Sequence, residues 1–371
     1  MKRLAALLPL LILAACGGTA AAPAASSSAP AAKPSTAAVS PSPAPTSSAA
    51  AKPSVAVSAT AAVAAKPSAG ASAPPSGNLT SIRASYSQAT VTQGALFVGI
   101  DQGIFAKNGL NVTAQQVNAS AQVASLIAGE VQIAGVGADA VAQADLGGAQ
   151  LVAIATAVDL PFFNLDANAK YKTMQDLVGQ LIGITTPGSS TDAAARLFLD
   201  HYGLTGKVKI TSAGTTQPAI LAAVTNGAIA AGTFAPPFDQ QALKAGLVEL
   251  VNGVSLAIPM NTADIAATRA YTQDHKDVVL RFLKGYQQAW SYNADPANEA
   301  AVIKVLAKYT QTDEATVRSG YQQMLKVWQG QKIPAMNPEA LGNILKLSDS
   351  PKAKTANPAD FIDSSLLQSI Q

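Results

Sequence analysis

The chain reads as an α/β protein of two lobes, with a helical C-terminal part and a disordered tether in front. Three observations predict this. Between residues 80 and 158, short β-like runs alternate with runs of helical spacing, the pattern of a parallel sheet with helices on both faces. The alternation restarts after Lys170 and continues to about residue 251. From about residue 270 the pattern becomes wholly helical.

At the N-terminus, Lys2 and Arg3 precede an apolar stretch from Leu4 to Ala15, interrupted by Pro9. This is the charged region and short apolar region of a secretory leader, too short to span a bilayer. It ends Leu13-Ala14-Ala15-Cys16, which resembles a bacterial lipobox, and Cys16 is the only cysteine in 371 residues. Residues 1–15 are therefore expected to be a lipoprotein signal peptide, and Cys16 the lipidated residue. More than one acyl chain, palmitate among them, is needed for stable anchoring. A lone cysteine also excludes a disulfide framework and a multi-cysteine metal site.

Residues 17–77 are almost all Ala, Ser, Pro, Thr, Val and Gly, with A-K-P-S at Ala32, Ala51 and Ala65. The stretch holds no aromatic and no acidic residue. It cannot bury enough apolar surface to offset the entropy of ordering it, so residues 16–77 read as a tether. Fully extended, at about 3.1 Å per residue, it reaches at most roughly 190 Å. The tether also explains the pI near 8.8. Five of 25 basic residues (Lys2, Arg3, Lys33, Lys52, Lys66) precede residue 78, and all 22 acidic residues follow it. That leaves 20 basic against 22 acidic residues in the folded part, a net of −2, and no nucleic-acid partner is implied.

The folded part, 78–371, is long enough for two lobes. TSIRASY (80–86) has the look of a strand, and GALFVGIDQGIFAKNG has apolar residues at helical spacing with Gly109 as a stop. Strand LNVTAQQV, helix SAQVASLIAGE, strand VQIAGV, helix ADAVAQADLGG and strand LVAIATAV follow. After Lys170 come helix MQDLVG, strand LIGIT, a helix over 190–202, strand KVKIT, helix PAILAAVTNG, strand AIAAGTF, helix FDQQALKAG and strand LVELV. In the C-terminal part Val279, Phe282, Leu283, Tyr286 and Trp290 form one apolar stripe. The chain is expected to cross between lobes near 158–165 and 255–265. Open parallel sheets hold ligands beyond the carboxyl ends of their strands, so helices starting near 94, 138, 189, 217 and 236 would face one cleft.

Four phrases then carry a resemblance: LFVGIDQGIFAKNGLNV (96–112), LIAGEVQIAGVGADAVAQADLGGAQLVAIA (126–155), DLVGQLIGITTPGSSTDAAARLFLDHYGL (176–204) and AILAAVTNGAIAAGTFAPP (219–237). In this order, behind a lipobox and tether, they resemble the solute-binding lipoproteins of ABC importers that handle nitrate, taurine, alkanesulfonates and thiamine-pyrimidine precursors. The resemblance covers nearly all of 78–330. It implies the type II periplasmic-binding-protein fold, with lobe 1 about 78–162 and 262–371 and lobe 2 about 163–261. It implies a monomeric, non-enzymatic protein without cofactor, held outside the cytoplasm on a bacterial membrane. Its partners would be a small-molecule solute, an ABC permease with its ATPase, and the bilayer at Cys16.

The turn Gly188–Thr191 is the first candidate site. A helix N-terminus offers free N–H groups and a partial positive charge. Gly188 lets the backbone approach a ligand, and Ser189, Ser190 and Thr191 add hydroxyls; in the family this turn touches the solute. A bare N-cap at Ser189 or Ser190 is the competing reading. Other candidates at strand ends are Ser87, Gln88 and Thr90; Gly137, Ala138 and Asp139; and Thr215 (beside Thr216) and Gln217. Tyr86 either stacks a planar solute or packs, and Phe234 and Phe238 either wall the cleft or pack inside lobe 2. Asp139 either caps its own helix or meets a cationic group.

Enzymatic readings find little support. There is no G-x-S-x-G, and His201 sits eleven residues along a helix from Ser190, about 16 Å away at 1.5 Å per residue. No H-E-x-x-H, calcium-loop or phosphate-loop spacing occurs. No Lys or Arg lies in the candidate turns, whereas Asp139 and Asp192 do. A multiply charged anion calls for arginine forks. The expected solute is thus a monoanion, or a neutral or zwitterionic planar molecule. The alternatives are a sensory ectodomain of the same fold and a pyrimidine-precursor synthase, whose cysteine-rich patch this chain lacks.

Overall fold

Two five-stranded sheets carry the architecture of the computed structural model, which describes residues 78–371. The expected signal peptide, Cys16 and tether lie outside the described residues. In the first lobe β1 (Thr80–Tyr86), α1 (Gly94–Asp101), α2 (Ile104–Lys107), β2 (Leu110–Gln116), α3 (Ala119–Ile127), β3 (Ile133–Gly135), α4 (Ala138–Leu146) and β4 (Leu151–Ala155) follow in sequence. The second lobe holds β5 (Asn164–Ala167), β6 (Leu181–Ile184), α5 (Ser190–His201), β7 (Lys209–Ser212), α6 (Gln217–Thr225), β8 (Ala231–Phe234), α7 (Phe238–Lys244) and β9 (Val248–Asn252). The chain then returns through β10 (Ile265–Thr268) and ends in helices: α8 (Arg269–Asp274), α9 (Lys276–Ala294), α10 (Glu299–Thr310), α11 (Glu314–Gly330), α12 (Pro338–Leu347), α13 (Pro351–Thr355) and α14 (Ser365–Gln368).

The strand orders are β2-β1-β3-β10-β4 and β7-β6-β8-β5-β9. β1 pairs in parallel with β2 (Thr80 opposite Leu110) and β3, while β10 runs antiparallel to β3 and β4. In the second sheet β5 is the antiparallel strand, with Asn164 opposite Phe234 on one side and Asn252 on the other. The expected parallel sheets are therefore corrected at one strand each. β5 and β10 are the strands entered from the other lobe. No helical crossover feeds them, so the rule that βαβ units produce parallel neighbours does not apply to them.

The two crossings run side by side. Val158 N–H donates to Thr262 O at 3.2 Å, Thr262 N–H returns a bond to Val158 O at 2.8 Å, and Met260 N–H donates to Asp159 O at 3.1 Å. The strand ends of both sheets thus face the same gap.

The largest core lies between the first sheet and the C-terminal helices. Val279, Phe282, Leu283, Tyr286 and Trp290 are all buried along α9, as their spacing predicts. At about 2 kcal/mol for each large buried side chain, this face outweighs the roughly 1 kcal/mol that Gly285 costs mid-helix. Gly285 has its own reason. Phe105 of α2 stacks on Phe282 at 5.0 Å, and a Cβ at Gly285 would stand 2.8 Å from the Phe105 ring. Trp290 Nε1 donates to the carbonyls of Trp328 and Gln331, which satisfies the one polar atom of that buried side chain.

The second lobe has its own core of Leu165, Leu177, Ile182, Phe198 and neighbours, joined by Ile344 of α12. On the same helix Leu341 and Leu345 pack with Ala138, Ala142 and Ala153 of the first lobe. α12 therefore wedges between the lobes. Among the described residues no helix is long and apolar enough to cross a membrane.

Candidate solute site

Between the strand ends lies a small pocket of about 30 Å³. The first lobe lines it with Ser87, Gln88, Thr90, Thr92, Gln93 and Gly135, and the second with Thr185, Ser189, Ser190, Thr191 and Gln217. Phe163, Thr262 and Ala263 of the crossings complete it. None of these residues is charged.

Local folding explains most of these positions. Ser189 is the N-cap of α5: its Oγ accepts the N–H of Asp192 at 3.4 Å. Thr185 Oγ1 donates to Ser189 Oγ at 3.0 Å, and Thr185 N–H donates to Thr191 Oγ1 at 3.0 Å. Thr185, Ser189 and Thr191 thus form a closed hydroxyl cluster that holds the turn on β6. Gly188 has φ +70°, a conformation that strains any other residue, and its N–H donates to Asp192 Oδ2 at 2.9 Å. The Ser189 amide donates to Thr186 O at 3.2 Å, but the amides of Ser190 and Thr191 find no acceptor among the described residues. They are the free donors that an α-helix leaves at its first turn, and they belong to residues lining the cavity.

Across the gap, Gln88 clasps the second lobe. Its Nε2 donates to Thr215 O at 3.0 Å and its Oε1 accepts the N–H of Gln217 at 3.2 Å. Gln217 Oε1 in turn accepts the N–H of Ala235 at 2.7 Å. Thr90 and Thr92 share a hydroxyl contact of 2.8 Å.

A buried acid sits behind the first-lobe wall. Asp264 Oδ2 accepts the N–H of Ala138 at 2.6 Å, filling the start of α4, while Oδ1 has no partner. Burial pushes its carboxyl up to about 7, against hydrogen bonds from Thr156 and Ala138 that favour the charge.

A second, open compartment of about 450 Å³ lies on the other side of the α4 and α5 starts, lined by Asp139, Gln143, Gly188, Asp192 and Arg196, with Ile344, Leu345 and Asp349 from α12 and the segment after it. Asp139 is buried and its carboxyl is pushed up to about 7, first by burial and then by Asp192 and Asp264. Arg196 Nε donates to Asp192 Oδ1 at 2.8 Å and its Nη2 to Asp349 Oδ2 at 2.8 Å.

The expected site residues therefore divide. Ser87, Gln88, Thr90, Ser189, Ser190, Thr191 and Gln217 meet at the inner cavity; Asp139 and Gly188 line the outer groove. Gly137 and Ala138 form the start of α4 between the two. Thr215 is exposed and contributes only its carbonyl. Phe238 packs with Ile220, Val224 and Phe234 inside the second lobe, and Tyr86 packs edge-on against Phe97. Sequence reasoning missed Thr92, Gln93, Thr185, Phe163 and Thr262. The first three continue hydroxyl- and amide-rich runs already singled out, so their composition was a usable signal. Phe163 and Thr262 reach the cavity only because the crossings pair. His201 and His275 are both exposed and line neither compartment. Among the described residues no group of three His, Cys, Asp or Glu is placed to hold a metal ion.

Two α/β lobes joined by paired crossings, with a polar pocket lined by both between their strand ends, define the class of two-lobed binding proteins. The chain belongs to the family described as NMT1/THI5 like, which matches residues 92–300. Its fold is that of periplasmic binding proteins. The ligand-binding component of an ABC-type import system from Staphylococcus aureus, solved with zinc bound, superposes with a TM-score of 0.65 at 12% identity, over 79% of this chain and 99% of that one. The alkanesulfonate-binding protein SsuA from Xanthomonas axonopodis pv. citri, bound to MOPS, gives 0.62 at 18%, over 78% of this chain and 99% of that one. The periplasmic nitrate-binding protein NrtA from Synechocystis PCC 6803 gives 0.62 at 11%, over 78% and 88%. No curated protein sequence matches the chain.

Proposed function

We propose that this protein is the solute receptor of an ABC importer, which captures a small polar solute between its lobes and presents it to a permease and its ATPase. The observation that carries this reading is the inner cavity. It is lined by both lobes, bears no charged side chain, and is bordered by Ser190 and Thr191, whose amides are free at the start of a twelve-residue helix. Uncharged donors and a helix N-terminus suit a monoanion or a neutral polar group better than a multiply charged one. Of the expected site residues, we assign contact with the solute to the seven at the inner cavity. The lobes are divided at 78–162 with 262–371 against 163–261, and Cys16 anchors the protein outside the cytoplasm.

Size discriminates among solutes. A water needs roughly 10–15 Å³ on this scale, so about 30 Å³ admits two or three small atoms as it stands. A nitrate-sized monoanion needs little further opening, whereas a sulfonate with a bulky tail or a pyrimidine requires the lobes to stand further apart. The structures of nitrate- and alkanesulfonate-binding proteins with this fold make both classes worth testing. No titratable side chain lines the cavity, so nothing there serves as general acid or base, which favours a receptor over an enzyme.

Calorimetric titration of the full chain with nitrate, methanesulfonate, acetate and an aminopyrimidine tests the proposal. A saturable signal for one of them, accompanied by a rise in melting temperature, is expected. No binding by any of the four at millimolar concentration overturns the assignment of solute class.

A further inference from the structure

The outer groove is unlike the inner cavity in charge, size and contents. It holds three carboxylates, Asp139, Asp192 and Asp349, and one guanidinium, Arg196. Arg196 is fully engaged: Nε and Nη2 hold Asp192 and Asp349, and Nη1 donates to Leu347 O at 3.2 Å. That accounts for two of the carboxylates and leaves Asp139.

Asp139 is only 7% exposed, on α4 of the first lobe, and lines the groove. No side chain donates to its carboxylate among the described residues. Only the amides of its own helical turn, residues 139 and 140, lie near it. Its nearest charged neighbours, Asp192 and Asp264, repel it. Two amides of a single turn do not fill the acceptor capacity of a carboxylate taken out of water. Asp139 stands in the first turn of α4, where a negative charge suits the helix N-terminus, and it keeps acceptor capacity that no side chain uses.

We propose that the outer groove is a second binding site, separate from the inner cavity, which takes an alkylammonium ligand whose N–H groups are received by Asp139. The charge balance favours a cation, since three carboxylates face one arginine. The floor favours methylenes: Val123, Ala140, Ile344 and Leu345 line it between the polar groups. The volume of about 450 Å³ falls within the roughly 300–1,000 Å³ of small-molecule sites. A bare metal ion does not fit, because no three carboxylates converge. A ligand seated here touches both lobes, since Asp139 and Gln143 belong to the first and Gly188 and Asp192 to the second.

The test is calorimetric titration of the full chain with 1,4-diaminobutane and with uncharged 1,4-butanediol at pH 8, above the value of about 7 to which burial pushes Asp139, with the diamine still protonated. Saturable binding of the diamine and none of the diol is expected. Asp139→Asn should weaken diamine binding at least tenfold. Ala140→Phe, which fills the groove and leaves every carboxylate in place, should weaken it comparably. Thermal melting of both variants shows that they are folded. No diamine binding to the unaltered chain at millimolar concentration overturns the proposal, and so does equal affinity in either folded variant. The readout concerns the diamine alone, so it stands or falls separately from whichever solute fills the inner cavity.

Discussion

Gln88 Oε1 accepts the backbone N–H of Gln217 at 3.2 Å, a bond from the first lobe to a helix start of the second. With its partner bond to Thr215 O, it closes the cleft by side-chain chemistry that needs no solute. Gln88→Ala should therefore loosen closure. Each lost bond is worth about 0.5–1.5 kcal/mol, so the open form should gain roughly five- to a hundredfold in population. Small-angle scattering of the solute-free variant should show a larger radius of gyration; an unchanged radius would mean that other contacts hold the lobes shut.

The hydroxyl cluster at the start of α5 has two separable duties. Ser189 caps the helix, and Thr191 Oγ1 accepts from Thr185 N–H inside the turn. Ser189→Ala with Thr191→Ala should lower stability by about 1–3 kcal/mol, from a lost cap and a stranded amide. Solute contact by these hydroxyls predicts weaker binding as well. Gly188→Val places a branched residue at φ +70° and should reduce both stability and affinity. Chemical denaturation and titration on the same variants separate the duties: lost stability with unchanged affinity confines this turn to starting a helix.

Asp166 supplies a pH dependence. It is fully buried, neither carboxyl oxygen has a partner, and Asp239 and Glu249 stand near. Burial first, then those two acids, push its carboxyl up to about 8. A raised carboxyl stabilises the fold fully below its unfolded value near 4, and that contribution is lost as pH rises through about 8. Asp166→Asn removes the dependence. The stability of the variant relative to the unaltered chain should be greater at pH 9 than at pH 5, by a few kcal/mol. Urea unfolding at the two pH values measures this, and an equal difference at both would show that Asp166 is ionised throughout.

Gly285→Ala offers a test of packing against propensity. Alanine favours the helix by about 1 kcal/mol, but its Cβ meets Phe105 at 2.8 Å, and overpacking costs about 1–3 kcal/mol. The substitution should destabilise the unaltered chain and stabilise a Phe105→Ala background, where the ring is gone. A double-mutant cycle by denaturation would show this change of sign; two effects that simply add would refute the contact.

Cys16 lies outside the described residues, and its role is a prediction from Leu13-Ala14-Ala15-Cys16. Mass spectrometry of protein from a bacterial host should find acyl chains on Cys16, and Cys16→Ser should leave the membrane fraction. An unmodified Cys16 with residues 1–15 still attached would refute the anchor.

The alternating elements were legible because each carries its own apolar run, as the α9 stripe from Val279 to Trp290 does. β5 and β10 were not. Each has four residues, and Asn164 and Asp166 give β5 the composition of a loop; it becomes a strand only between β8 and β9, which come from distant sequence. The site divides the same way. Residues 188–191 form one turn, so the hydroxyls of Ser189 and Thr191 announced the cluster, while Thr185 on the far side of Pro187 did not. Phe163 and Thr262 meet across nearly a hundred residues of chain, through pairing that no local spacing records. Phe238 faces Ile220 and Phe234 rather than the cleft, and a single aromatic after Pro237 does not reveal which side it takes.

The wedge formed by α12 has a kinematic consequence. Two chain segments lying side by side, at Val158 and Thr262, permit one lobe both to bend and to twist against the other. α12 is a third point of attachment, set off that line, with Ile344 seated in one lobe and Leu341 and Leu345 in the other. Any movement of one lobe against the other must therefore carry α12 with one of them and draw either Ile344 or Leu341 and Leu345 out of a packed core.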